Sequence, residues 1–325
     1  MNTRVSVVIP VRNGGSNFRR CLEAIHDSGP PPYEVLVVDD GSTDESARMA
    51  CESGATLLMT PQPGGGPAVA RNVGAIQAGG DVILFVDSDV ALHPDAIGRV
   101  RRNFSADPDL VACFGSYDDR PAAPNFVSQY KNLFHHYVHQ SARDEASTFW
   151  AGCGAIRRDA FLAAGGFDSR YSRPAIEDVE LGCRLKSSGG KLRLDKRLQA
   201  THLKRWTLRS LLRSDIFDRG VPWTRLILQR RGLIDDLNLR MRSRVSVVAV
   251  YAVLTSCVAG CVWPAALAAA GASAIGLLAI NSPLYRFLAA RRGWLFALRA
   301  IPMHWLYYWY NGLAFAMGLV SEIVE

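Results

Sequence analysis

The sequence predicts an α/β domain, a mainly parallel sheet flanked by helices, followed by C-terminal helices that lie at and in a membrane. Three observations carry this. Up to about residue 200, short apolar, β-branched runs alternate with segments of helical spacing. The strongest of those runs all end in polar or acidic residues. From residue 245 to 280 there is no charge in 36 positions.

The first run, VSVVIP at 5–10, is apolar on both faces, as a strand covered by helices on both sides must be. FRRCLEAIHDS follows with helical spacing, then YEVLVVDD at 33–40 and the helical ESARMACESG. The helical AVARNVGAIQAG leads into the run DVILFVDSD at 81–89. Strand–helix–strand repetition implies right-handed crossovers in a parallel sheet. Ligands of such sheets sit outside the carboxyl ends of the strands. Here those ends read PVRN, DDGS and DSD, and that coincidence locates the site. Beyond residue 245 the uncharged run suits two short spans, about 245–262 and 264–280, turning near Trp263-Pro264. A third candidate, about 301–320, carries a Trp/Tyr cluster of the interfacial kind. Arg240, Arg242 and Arg244 precede the first span, and Arg286, Arg291, Arg292 and Arg299 follow the second. Arginine at both ends of a hairpin predicts that both ends are cytoplasmic. The expected location is therefore the cytoplasmic membrane, multi-pass, with the N-terminal domain facing the cytosol. A buried helical hairpin in a soluble domain is the alternative.

Net charge is +7, and all of it belongs to one segment: residues 203–244 hold 11 Lys/Arg against 4 Asp/Glu. Its position, just before the apolar region, favours an anionic membrane surface over nucleic acid, and no nucleic-acid partner is expected. Residues 208–244 mix Arg with Leu, Ile, Trp and Phe, the pattern of helices lying in a membrane interface. The expected organisation is a catalytic domain at 1–206, basic amphipathic helices at 207–244 and a membrane domain at 245–325. The seven cysteines are scattered, odd in number and without zinc-type pairing, as expected of reduced thiols. MNTRVSVVIP has no apolar stretch long enough for a signal peptide, so membrane attachment is expected from elsewhere.

Four motifs carry chemistry. In FVDSDV, Asp87 and Asp89 are two like charges at the end of an apolar run, and i and i+2 share a strand face. That arrangement is stable when a divalent cation, Mg²⁺ or Mn²⁺, lies between it and a diphosphate. In VVDDGSTDES, Asp39 and Asp40 either satisfy turn amides or accept hydrogen bonds from a nucleobase or ribose. PGGGPAVARNVG lacks the spacing of a dinucleotide fingerprint, which argues against a nicotinamide-dependent oxidoreductase. Its Arg71 lies early on a helix, where a guanidinium can meet phosphate. In RPAIEDVELGCRLKSSGG, Glu177 and Asp178 open a helix. There they either favour its dipole or supply a general base.

The segments VSVVIPVRN, YEVLVVDDGSTDES, GGGPAVARNVG, GDVILFVDSDV, WAGCGAIRRDAFLAAGGFD and IEDVELGCRLKSSG together resemble the family 2 glycosyltransferases, in the family's order, over roughly residues 4–206. The resemblance implies a GT-A fold, which is Rossmann-like, and a metal-dependent, inverting transfer from a nucleotide-diphospho-sugar, a UDP-sugar by default. It implies that Asp40 binds the base, with Pro10 and Val11 lining its pocket and Arg12, where members often carry Tyr, stacking on it. Arg71 and Ser88 would lie by the diphosphate. Asp87 and Asp89 match the metal motif, Asp89 being the more direct ligand of Mn²⁺ or Mg²⁺, and His202 approaches the metal or diphosphate. Asp178 matches the catalytic base, with Glu177 beside it. Trp150 and Gly152, with Gly154, fall where the sugar and acceptor pocket is shaped, and Arg205 and Trp206 of HLKRW belong to the same later element. HLKRW lacks the Gln of processive synthases, which argues against a polymerising enzyme.

The basic and apolar C-terminal segments point to an acceptor presented at the bilayer, a polyprenyl phosphate or lipid-linked glycan at the cytoplasmic face, as in cell-envelope polysaccharide synthesis. The alternatives are a soluble or nascent polysaccharide acceptor, and a catalytically silent nucleotide-sugar-binding subunit.

Overall fold

The apolar runs become the sheet. In the computed structural model, which describes residues 3–230 and 241–324, the first strands and helices alternate as β1 (Val5–Val11), α1 (Gly15–His26), β2 (Glu34–Asp39), α2 (Ser46–Glu52), β3 (Thr56–Met59), α3 (Gly66–Gln77) and β4 (Val82–Val86). There follow β5 (Val90–Leu92), α4 (Ala96–Ala106), β6 (Leu110–Tyr117), α5 (Phe126–Ser141), β7 (Cys153–Arg157), α6 (Arg158–Ala163), α7 (Glu177–Ser187) and β8 (Lys191–His202). The strand order is β3-β2-β1-β4-β7-β6-β8-β5. The first four strands in that order are parallel, with α1 and α3 as crossovers. The two innermost in the sheet, β1 and β4, are buried on both faces throughout, whereas the edge strand β3 is partly exposed.

The other half of the sheet is mixed. β7 runs antiparallel to both β4 and β6, β6 is parallel to β8, and β5 is antiparallel to β8. Only Asp87, Ser88 and Asp89 separate β4 from β5. A linker that short cannot make the dozen-residue crossover a parallel neighbour requires. β5 pairs instead with the end of β8, Val90 opposite His202. Three residues reach about 10 Å at most, so this pairing carries His202 back to the carboxyl end of β4. The expected strand over 81–89 therefore stops at Val86, and the two acids sit in a turn rather than on one strand face.

Contacts divide the chain into two compact units, one ending at Trp206 and the other starting at Thr207. The second unit begins with α8 (Leu208–Arg213), capped by the Thr207 hydroxyl, which accepts from the Ser210 amide. A π-helical turn (Ser214–Gly220) and α9 (Val221–Arg230) follow, then α10 (Met241–Gly260), α11 (Ala266–Arg292) and α12 (Trp294–Val324). Residues 231–240, part of the expected basic amphipathic segment, lie outside the described residues. Within this unit Tyr310 donates to Asp215 at 2.7 Å, and Asn281 joins Ser246 and Tyr308 at 3.1 and 2.9 Å. Among the described residues, α10 and α11 are the two helices long and apolar enough to cross a membrane. The third span expected near 301–320 falls in α12, which is not one of them; His304, Asn311 and four tyrosines or tryptophans at 305–309 lower its hydropathy. α11 also runs on past residue 280 to Arg292.

Candidate active site

Three loops at the carboxyl ends of β1, β2 and β4 come together. The first two are laced to each other: Asn13, in the left-handed region at φ 54°, donates its amide to Ser42 and accepts from the Thr43 amide. Pro10 and Val11 are buried at the end of β1, and Arg12 is exposed beyond them, its guanidinium lying against Gly64. Asp39 accepts from the Ser42 amide at 2.8 Å.

Asp40 turns inward. One carboxylate oxygen accepts from the Thr60 hydroxyl and the Gly64 and Gly65 amides, the other from the Gly66 amide, all at 2.9 to 3.0 Å. The residue is only 4% exposed. A carboxylate there satisfies a row of loop amides that would otherwise be buried without acceptors. The glycine loop is thus closed over Asp40, and it reads as a lock on the loop rather than as an open phosphate cradle. Gly66 is held at φ +88°, where an added Cβ would lie 2.4 Å from the Ser172 carbonyl oxygen, so the loop also presses against the segment before α7.

Arg71 is buried. It gives Nη2 to Asp87 Oδ1 at 2.6 Å and Nη1 to Glu177 Oε1 at 2.7 Å. Burial works against its charge, but Asp87, Glu177 and Asp178 outweigh that and keep the guanidinium firmly protonated. Glu177 spends its other oxygen on the Ala175 amide at 2.9 Å. Beside it, Asp178 accepts from the Ala151 amide at 3.1 Å and from the Val179 amide at 2.8 Å. Burial and the neighbouring Glu177 carboxylate push its pKa up to about 7.

At the turn, Asp87 and Ser88 are half-buried, and Asp89 faces His202 with Oδ2 3.7 Å from Nε2. The His202 Nδ1 lies 2.7 Å from the Asn132 side-chain amide, which holds the ring with Nε2 turned toward Asp89. Burial works to raise the Asp89 carboxyl, but His202 and the Lys204 ammonium outweigh it and hold it below the usual range. Among the described residues no three His, Cys, Asp or Glu side chains gather as a metal cluster. The donor set nevertheless fits Mg²⁺ or Mn²⁺, which need only one or two carboxylates when substrate phosphates and water complete the shell.

Beside His202 stands an aromatic wall. Tyr117 stacks on it with ring centroids 4.3 Å apart, and Trp150 meets Tyr117 edge-on at 4.8 Å. His135 lies 4.9 Å from the Trp150 ring. Gly152 leaves room for the indole, since a Cβ there would lie 2.6 Å from the Trp150 ring. Arg205 is exposed, whereas Trp206 is buried, its amide bound to Ser128 at 2.7 Å and its ring covered by Lys204 at 4.4 Å. Asn132, Tyr117 and His135 were not singled out from the sequence; the run FHHYVH on α5, histidines one and four apart, was the available signal.

A sheet of this topology, with the acidic turn and the Glu-Asp helix at the carboxyl ends of its strands, is the GT-A fold of nucleotide-diphospho-sugar transferases. The family model of glycosyl transferase family 2 matches residues 6–163. It is 29% identical to the pre-mycofactocin glycosyltransferase of Mycobacterium tuberculosis over 228 residues, 66% of this chain and 46% of that one. It is 35% identical to the uncharacterized glycosyltransferase YibD of Escherichia coli over 94 residues, 28% and 27% of the two chains. The chain thus spans between about a quarter and a half of the length of these curated relatives. The mannosyltransferase PcManGT of Pyrobaculum calidifontis, solved with GDP-Man and Mn²⁺, has a TM-score of 0.62 at 18% identity, covering 97% of this chain and 88% of that one. S. aureus TarS 1-349 with UDP-GlcNAc has a TM-score of 0.54 at 18% identity, covering 69% and 65%. At such identities the likeness is one of fold.

Proposed function

We propose that the chain is an inverting glycosyltransferase that moves a sugar from a nucleotide-diphospho-sugar to a lipid-linked acceptor at a membrane surface. The observation that carries this is Asp178: a carboxylate whose pKa lies near 7, seated on two backbone amides at the mouth of the site. General bases are tuned to that range. Asp178 takes the proton of the acceptor hydroxyl as its oxygen bonds to the anomeric carbon. The bond from that carbon to the diphosphate breaks on the opposite face, so one displacement inverts the configuration. Asp89 and His202, with Asp87, would hold Mn²⁺ or Mg²⁺, which when bound offsets the charge growing on the leaving diphosphate. Trp150, half-buried beside the buried Tyr117, offers an apolar face for the sugar ring.

The lipid-linked acceptor is supported by the second unit. Val248, Val258, Trp263 and Ile275 of α10, α11 and their connection are 69 to 73% exposed, as expected of a surface that meets lipid rather than water.

The test is a panel of nucleotide-sugars with detergent-purified protein and membrane lipid extract, in Mn²⁺, Mg²⁺ or EDTA. The expected result is release of one nucleoside diphosphate, dependent on both metal and lipid fraction. Turnover undiminished in EDTA would remove the metal from the reading, and turnover of no donor would remove the reaction.

A further inference from the structure

A buried guanidinium normally finds its anion in the substrate or in the protein, and Arg71 has found two in the protein. Its side chain is 5% exposed, the ring of Phe167 lies 5.5 Å from its central carbon, and its Nε is buried with no hydrogen-bond partner. Phe167 itself packs on Phe85 and Phe161 at 5.1 and 5.3 Å, so that flank is fixed. Little of the side chain is open to a phosphate, and drawing Arg71 away from Glu177 would leave that carboxylate, 5% exposed, without its cation, which is strongly unfavourable.

The two pairs close a ring. From Asp87 the path runs through Arg71 to Glu177, along the chain to Asp178, and across to the Ala151 amide. Ala151 leads to Gly152, whose carbonyl accepts from the Asp87 amide at 3.3 Å. Three chain segments, the acidic turn, the strip before β7 and the start of α7, are joined in this loop. Arg71, from a fourth element, α3, bridges two of them with one side chain. Its partners are 16 and 106 positions away in the sequence.

We propose that Arg71 is a positioning residue that binds no substrate: it clamps the acidic turn to the start of α7 and thereby fixes where Asp178 points. This rests on the reading of Asp178 as the base. The clamp also sets the local charge. The charged groups facing Asp178 are Glu177 of its own helix and Arg71 of α3, itself tied to Asp87, so removing the guanidinium leaves the Glu177 and Asp178 carboxylates without the cation that faces them both.

The experiment compares full-length wild type with Arg71→Lys, Arg71→Gln and the double variant Arg71→Gln/Glu177→Gln. Three quantities are read: the Kd for UDP and for GDP with Mn²⁺ by calorimetry, the donor KM against kcat, and the acid limb of the pH–rate profile. In Arg71→Gln the nucleotide Kd and donor KM should stay within about threefold, while kcat falls by about 10²-fold, as a misplaced reacting group predicts. The acid limb should move up by about 1 unit or more, since a carboxylate loses a neighbouring cation. Arg71→Lys should fall between the two, and neutralising Glu177 in the double variant should bring the limb back down. The double variant has no stranded charge at Glu177, so it keeps the test open if Arg71→Gln alone fails to fold.

A rise of tenfold or more in nucleotide Kd and donor KM, with the limb unmoved, would overturn the clamp and give Arg71 to the diphosphate. If wild type turns over no donor, the transferase reading fails, and the calorimetric arm still decides whether Arg71 touches nucleotide.

Discussion

Asp178 is the residue on which most depends, and its sign of charge can be tested. Burial and Glu177 raise its pKa to about 7, so it is protonated and idle as a base at pH 6 and ionised at pH 8. Transfer should therefore rise with pH through about 7 and level off above it. Asp178→Asn should lower kcat by about 10²- to 10⁴-fold, the usual contribution of a positioned base, with the nucleotide Kd unchanged. Stability moves the other way. In the unfolded chain this carboxyl titrates near 4, so between about 4 and 7 the folded state holds more protons than the unfolded one. Wild type should lose stability across that window relative to Asp178→Asn, as urea midpoints at pH 5 and pH 8 would reveal. Equal slopes for the two proteins would mean that Asp178 is not held in a desolvated site.

An element can displace the same carboxylate without touching it. α7 lies so close to the segment before β7 that a Cβ on Gly182 would be 2.2 Å from the Phe149 backbone nitrogen. Backbone cannot step aside as a flexible side chain can, so Gly182→Ala must push the helix outward. Overpacking of this kind costs about 1–3 kcal/mol. The expected phenotype is a lower Tm together with a kcat reduced more than the donor KM is raised, because Asp178 rides on α7 while the nucleotide loops belong to β1, β2 and α3. A stable variant with full kcat would show that α7 has room the packing denies it.

At the scale of the whole molecule, the two units call for different solvents. The unit ending at Trp206 buries its central strands β1 and β4 completely, whereas α10 and α11 turn large apolar side chains outward. A hairpin of two such helices should remain with membranes through alkaline carbonate extraction and leave only with detergent. Release by carbonate would restrict the contact to the interface, where the arginine-rich stretch after residue 203 still favours anionic lipid.

The sequence by itself determined what depends on local composition. Strands buried on both faces must be continuously apolar, and helices between them must be amphipathic, so the α/β class and three of the four strands in the parallel half were legible in VSVVIP, YEVLVVDD and VILFV, while the half-exposed edge strand β3 was not. The uncharged run announced α10 and α11 for the same reason. Tertiary structure alone decided whatever joins distant positions. Nothing in FVDSDV says that Asp87 and Asp89 part company in a turn, one to Arg71 and the other toward His202, because that follows from β5 pairing with β8. Nor does VVDDGS say that Asp40 is turned under the glycine loop, since its donors are the Thr60 hydroxyl and amides 24 to 26 positions later. Arg71 shows the reason most directly: nothing near it in the sequence names Asp87 and Glu177 as its partners, and charge pairing is decided by distance in space, which the order of residues does not record.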